Sequence, residues 1–251
     1  MTAVVSKLFR IVDCIASGDE DSQSVAALTR ATGLPKATLY RLLRDLVDLG
    51  ILDHAPDGYC LGRRLFELGG NVPEYRRLRE AATPYLEELT LASGDSAHLA
   101  TLRDHEVLYL ERVPGRYPVQ LPTSAGARHP LHCTALGKTL LAYAPGRLRE
   151  DILRSRLRPL TGKTIVLPKL LLTQLARIHD EGVATEFEEF RLGIGCVAAP
   201  ILDAEGTVVA AISVSGDPRT KPPGPLHARV RRAAAGISRD YQRVLALSLP
   251  A

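Results

Sequence analysis

The stretch HPLHCTALGK, His129 to Lys138, gathers residue types that often do chemistry. Two histidines stand three apart, and a cysteine directly follows the second. One reading is a metal site of His129, His132 and Cys133, since zinc takes three or four such ligands converging at about 2.0–2.3 Å. Another is a Cys133 thiolate beside a histidine base, favoured by the start of the following helix. Either would make the chain a metal- or thiol-dependent enzyme. Both meet one obstacle: Pro130 keeps the segment extended, so the neighbours His132 and Cys133 tend to point opposite ways. The remaining histidines, His54, His98, His105, His179 and His227, offer no paired ligand spacing, and nothing supplies a third group to orient a base. A third reading needs no catalysis. Thr134 is a good N-cap, TALGKTLLAY runs as a helix, and the free N–H groups of its first turn attract carboxylate or phosphate. The segment is therefore read as part of a small-anion pocket, with no cofactor and no metal.

The elements that must position such a pocket follow from the rest of the chain. At 251 residues it holds one large domain or two unequal ones. Its net charge of +4 is too small by itself to argue for nucleic acid. No apolar run approaches the ~20 residues of a membrane span and the first residues carry no signal-peptide cleavage pattern, so a cytoplasmic location is expected. Cys14, Cys60, Cys133 and Cys196 lie far apart and are expected as free thiols.

At the N-terminal end, Val4, Val5, Leu8, Ile11, Val12 and Ile15 recur at helical spacing. Ser24 is placed to cap a short second helix, Gly33 breaks it, and LPKATLYRLLRDLVDLG starts a third with Pro35 in its first turn. Leu39, Leu42, Leu43 and Leu46 share one face of that third helix; Ala37, Arg41, Arg44 and Asp48 occupy the opposite one. This is a helix-turn-helix, and ILDHAPDGYCLG supplies a hairpin around Pro56-Asp57-Gly58 that serves as a wing. Residues 1–60 hold six Lys and Arg against eight Asp and Glu, so DNA binding rests on where the basic residues stand, not on their number.

RRLFELGGNVPEYRRLREAATPYLEELTLASG reads as a connector broken at Gly69-Gly70, then a helix with Leu78, Ala82, Leu86 and Leu89 on one side. SAHLATLRDHEVLYLERVP alternates like two strands around Arg103-Asp104. Helices are expected over Ala135 to Tyr143, near Arg147 to Ser155, and over LPKLLLTQLARIHDEG with Gly182 as its stop. Two strands joined around Asp203-Ala204-Glu205-Gly206 come next, then a helix from Gly224 to about Leu247. Helices with a mixed or antiparallel sheet predict an α+β sensory domain.

SVAALTRATGLPKATLYRLLRDLVDLGILDHAPDGYCLG resembles the winged helix-turn-helix of the IclR family of bacterial transcriptional regulators, with Leu34 to Arg41 matching the family's recognition-helix pattern. PLHCTALGKTLLAY and EGVATEFEEFRLGIGCVAAPILDAEGTVVAAISVSG resemble that family's effector-binding domain, so the likeness covers nearly the whole chain. The resemblance implies an α+β fold in which a winged helix-turn-helix (1–64) is joined by a linker and connecting helix (65–93) to a larger GAF-like α/β effector-binding and oligomerisation domain (94–251). It makes Lys36, Ala37, Thr38, Tyr40 and Arg41 the groove-facing positions. Arg41 would fork onto a guanine edge, the methyls of Ala37 or Thr38 would touch thymine, and Arg44 would reach phosphate.

The effector residues implied by position are Leu121, Cys133, Thr134, Ala135, Leu136, Glu186, Cys196, Ser213 and Ser215. Glu186 falls where several relatives have an aspartate that meets the ligand, and Ala135 where some have glycine. Ser213 and Ser215, two apart on a strand, face one side. The function so implied is a regulator, repressor or activator, binding a pseudo-palindromic double-stranded operator as a homodimer or tetramer. A small-molecule effector, a carboxylate-containing organic acid, would modulate it through the linker around Gly69-Gly70. The alternative is the thiol- or metal-dependent enzyme on His129, His132 and Cys133.

Overall fold

A computed structural model describes residues 3–18, 22–116, 121–220 and 224–248. By internal contacts the chain separates into two compact units, Met1–Pro73 and Glu74–Ala251.

In the smaller unit, the first apolar stripe forms α1 (Ala3–Ala16), with Ile11 and Ile15 buried. Ser24 caps α2 (Val25–Thr32), its Oγ accepting from the Ala27 N–H at 3.2 Å. Gly33 ends α2 in the left-handed conformation, at φ 65°, where a side chain would be strained. The next helix, α3 (Lys36–Asp48), starts one residue later than the sequence suggests: Pro35 has ψ 137° and stands at the cap, outside the first turn. β1 (Leu52–Ala55) and β2 (Gly58–Leu61) form the antiparallel hairpin, and Gln23 bridges to Tyr59 on its far strand. Gly58 permits that bridge, because a Cβ there would collide with the Gln23 carbonyl. Leu28, Leu34, Leu39, Leu42, Leu43, Leu46 and Leu52 join the two isoleucines in one core. Each such burial contributes about 1.5–3 kcal/mol before the entropy of ordering is charged against it.

Residues 65–93, expected as connector and helix, fall on both sides of the division between units. Gly69-Gly70 does not break the chain where expected. Both glycines end α4 (Arg63–Gly70), and the interruption falls at Asn71-Val72 before α5 (Pro73–Ser93). A glycine costs about 1 kcal/mol in a helix interior but little in a last turn.

The larger unit is a three-layer sandwich. Among the described residues its six strands are β3 (Ser96–Arg103), β4 (Glu106–Val113), β5 (Arg128–Pro130), β6 (Ala184–Phe187), β7 (Gly195–Leu202) and β8 (Val208–Gly216). They run antiparallel in the order β5-β4-β3-β8-β7-β6. The β3–β4 turn falls at Asp104-His105, both at positive φ, one residue beyond the expected position. β5 and β6 are short edge strands that the sequence pattern did not isolate. On one face α5 and α9 (His227–Ser248) cover Ala97, Leu99, Val197, Ala199, Ile201, Ile212 and Val214. On the other, α6 (Ala135–Tyr143) and α8 (Pro168–Glu181) cover Ala100, Val107, Tyr109, Ala184, Ala198 and Ala211, with α7 (Gly146–Arg154) alongside. Small alanines on this second face let α6 lie close and leave room for a cavity at its start.

Candidate functional site

Two regions gather the residues singled out above. The first is the outer side of α3. Lys36, Ala37, Tyr40, Arg41 and Arg44 are exposed, and Thr38 is half-buried on the flank of the leucine face. Tyr40 is 53% exposed, so it belongs to the surface and not to the core. Positions 37, 41 and 44 repeat at helical spacing and form one ridge. No side chain caps α3, which leaves its first N–H groups available to an anion. Tyr40, Arg41 and Arg44 also line an open groove whose opposite wall is His54 and Tyr59 of the hairpin.

The second region lies over the sheet face that carries α6. Thr134 caps α6 by accepting from the Gly137 N–H at 3.0 Å, while its own hydroxyl donates to the Pro130 carbonyl at 3.1 Å. Gly137 lets the helix seat against the turn before it, since a Cβ there would strike the backbone of Leu131. Strand register builds the floor. Glu186, Cys196, Ser215 and Ser96 form one row across four strands, and Ala198, Ser213, His98 and Arg112 form the next. Paired residues of antiparallel strands point to the same side, so both rows face α6.

Leu121, Thr134, Ala135, Leu136, Glu186, Cys196, Ser213 and Ser215 line a single cavity here, together with Tyr109, Phe190 and Ile194. Sequence reasoning missed those last three, although alternation along β4 carries a signal for Tyr109. The walls leave only about 10 Å³ for the centre of a water-sized sphere, roughly the room of one water. A larger guest requires the walls to part.

Cys133, grouped with these residues by sequence, does not line the cavity. It is fully buried, and burial, with Glu186 and Glu189 nearby, pushes its thiol up to about 12. Burial disfavours the thiolate and shuts the sulfur off from the cavity, which argues against the nucleophile reading. The histidines are likewise engaged: His129 Nε2 donates to the Pro122 carbonyl at 2.9 Å and His132 Nε2 to the Arg158 carbonyl at 3.0 Å. Burial lowers the proton affinity of both rings. Residues 131–134 form a bend and turn, not the extended run inferred from Pro130, so strand alternation is not what sets His132 apart from Cys133. Among the described residues, no three His, Cys, Asp or Glu side chains are placed to hold a metal ion.

Glu186 is the carboxyl of the wall, and its ionisation is strongly perturbed. Only 1% exposed, it accepts from the N–H groups of Glu189 and of Phe190, the latter at 3.1 Å. Burial raises its carboxyl from 4.5 to about 7; the two backbone bonds and Lys138 oppose the rise, and Glu189 adds to it. Behind it lies a buried ion pair, Lys138 with Glu189, in which Lys138 Nζ also donates to Gln174 Oε1 at 2.8 Å. The pair ties α6 to α8 and to the loop that carries Phe190. Cys196 Sγ and Ser215 Oγ stand 2.9 Å apart in a hydrogen bond on the floor.

Residues 72–239 match the family model for the bacterial transcriptional regulator IclR C-terminal domain, and residues 4–56 match the IclR helix-turn-helix domain. The chain is 30% identical over 214 residues to the HTH-type transcriptional regulator KdgR of Dickeya chrysanthemi, covering 84% of this chain and 70% of that protein. It is 32% identical to the HTH-type transcriptional regulator XynR of Escherichia coli, covering 76% and 77% respectively. Among solved structures, an IclR homolog from Microbacterium hydrocarbonoxydans complexed with 4-hydroxybenzoate superposes with a TM-score of 0.89 at 29% identity, covering 96% of this chain and all of that one. The IclR of Thermotoga maritima superposes at 0.77 with 28% identity, over 96% of this chain and all of that one.

Proposed function

Because the chain belongs to the IclR family of bacterial transcriptional regulators, we propose that α3 reads a pseudo-palindromic operator and that a small organic acid in the α6 cavity modulates that binding. The observation that carries the reading is the exposed ridge of α3, opposite its buried leucines and uncapped at its N-terminus. Arg41 forks onto a guanine edge, Ala37 and Thr38 offer methyls to thymine, and Lys36 and Arg44 meet phosphate, with Tyr40 and the hairpin beside them. A two-fold operator calls for a homodimer or tetramer. The exposed Phe9, Phe66 and Leu68 of the smaller unit support self-association. Half-sites about one helical turn apart, roughly 34–36 Å, fit such a pair of helices. No helix among the described residues is long and apolar enough to cross a membrane, and the proposed place of action is the cytoplasm, with the DNA.

In the cavity, the start of α6 at Ala135 and Leu136 supplies N–H donors, Ser213 and Ser215 supply hydroxyls, and Glu186 is a carboxyl poised between its two charge states. Leu121, Leu136, Phe190 and Ile194 close around an apolar body. The 4-hydroxybenzoate held by the Microbacterium relative makes an aromatic acid of that size the first probe. An effector acts only through unequal affinity for the DNA-competent and DNA-incompetent arrangements. The test is fluorescence anisotropy with the chain's own upstream DNA at about 50 and 200 mM salt, with and without 4-hydroxybenzoate and related acids. Sequence-selective binding that survives the higher salt and responds to an acid supports the reading. Binding that collapses equally on all sequences refutes operator recognition.

A further inference from the structure

The row of the floor that holds Ser213 continues to His98 and Arg112, and these two are unlike every other polar group around the cavity. His98 is 1% exposed and its Nε2 meets the Thr123 hydroxyl at 3.1 Å, yet its Nδ1 is buried with no hydrogen-bond partner among the described residues. Arg112 Nε is buried and unpartnered in the same way, and no carboxylate among the described residues pairs with the Arg112 guanidinium. The register sets the two side by side, His98 opposite Arg112 on one side and opposite Ser213 on the other. Tyr109, a wall of the cavity, meets the His98 ring edge-on at 5.7 Å. Thr123 belongs to the same segment as Leu121, another wall residue.

Buried polar atoms without partners are costly, so folded proteins retain them where something else satisfies them. The two ends of the site differ in charge. At the β6 end Lys138 balances Glu189, and burial raises the Glu186 carboxyl to about 7, so no unbalanced cation stands there. At the β4 end stands Arg112, whose positive charge, after burial itself, depresses protonation of His98. A carboxylate near Glu186 would find no free cation, whereas one placed at Arg112 would be attracted to the guanidinium.

We propose that Arg112 and His98 form the carboxylate-receiving end of the effector site, and that the effector is an organic anion whose other end lies among Ser213, Ser215 and Glu186. This rests on the effector reading above. β6 and β4 are four strand spacings apart, about 19 Å, and Ser213 lies between them in the same row as His98 and Arg112. The guest enters as the Tyr109 ring yields, joining the small cavity to the His98–Arg112 end.

The test titrates full-length wild type, Arg112→Gln and Ser213→Ala calorimetrically with 4-hydroxybenzoate and its carboxamide, and likewise with terephthalate, succinate and their amides. Melting by circular dichroism checks that each variant folds. Wild type is expected to prefer the acid by about 10- to 100-fold, the strength of a hydrogen bond to a charged group. Arg112→Gln should erase that preference while still binding the amide; Ser213→Ala should weaken acid and amide together. If Arg112→Gln does not fold, nitrogen NMR of the wild-type His98 ring decides: its resonances should move with the acid and stay with the amide. A preference retained in Arg112→Gln, or a His98 ring blind to the acid, overturns the carboxylate assignment and leaves the effector cavity standing. Wild type that binds none of the acids or amides overturns both.

Discussion

Glu186→Gln should make the protein's stability less sensitive to pH, in a direction fixed by burial. The carboxyl ionises at about 7 when folded against an ordinary 4.5. At about 1.4 kcal/mol per pH unit, ionising it in the folded protein costs roughly 3 kcal/mol more than in the unfolded chain. The folded value is the raised one. Its contribution is therefore fully present below 4.5, declines as pH rises from there, and is lost once pH passes about 7. Gln keeps an oxygen for the N–H groups of Glu189 and Phe190 but carries no charge at any pH. Urea denaturation of both proteins from about pH 4.5 to 8, followed by circular dichroism because the chain has no tryptophan, gives the difference in stability at each pH. Relative to wild type, the variant should gain with a slope near 1.4 kcal/mol per pH unit up to neutrality, then level off about 3 kcal/mol above its acid-side value. A difference that stays flat across the range, or changes only below 4.5, would refute the claim that this carboxyl is held neutral by burial.

Arg41→Ala should cost about 1–3 kcal/mol in operator affinity and far less on unrelated DNA, read by anisotropy; equal losses on both would exclude base readout. Lys138→Met leaves Glu189 buried without its cation and should destabilise the protein by about 3–5 kcal/mol in urea, and an unchanged midpoint would show the pair to be solvated. Cys133 should resist thiol reagents in the native protein at neutral pH and react only on unfolding, with Cys133→Ser retaining operator binding; rapid native labelling of that residue would contradict its burial.

Local rules were enough to read the smaller unit. A stripe of leucines, a serine cap, Gly33 in the left-handed region and a Pro-Asp-Gly turn each act within a few residues, so their spacing in the sequence is their spacing in space. The same holds for the Thr134 cap and for the serine pair on β8. Thinly spread local signals do not fix an element. Gly69-Gly70 looked like a break because glycine weakens a helix interior, and only the position of the helix end shows why it was tolerated. β5 and β6 were invisible because three or four residues at a sheet edge have too little pattern to separate from a loop.

What only the tertiary structure decided is adjacency across strands. Nothing in the sequence sets His98 beside Ser213, or Arg112 beside His98, since those pairings come from antiparallel register between segments that lie up to 115 residues apart along the chain. Nor does it show that Cys133 turns into the core while its neighbour Thr134 faces the cavity. The carboxyl of Glu186 owes its raised ionisation to being enclosed by residues from other elements. Residue type and spacing specified the elements and the family; burial and register, which depend on every packed neighbour at once, decided which of those residues meet and in what charge state.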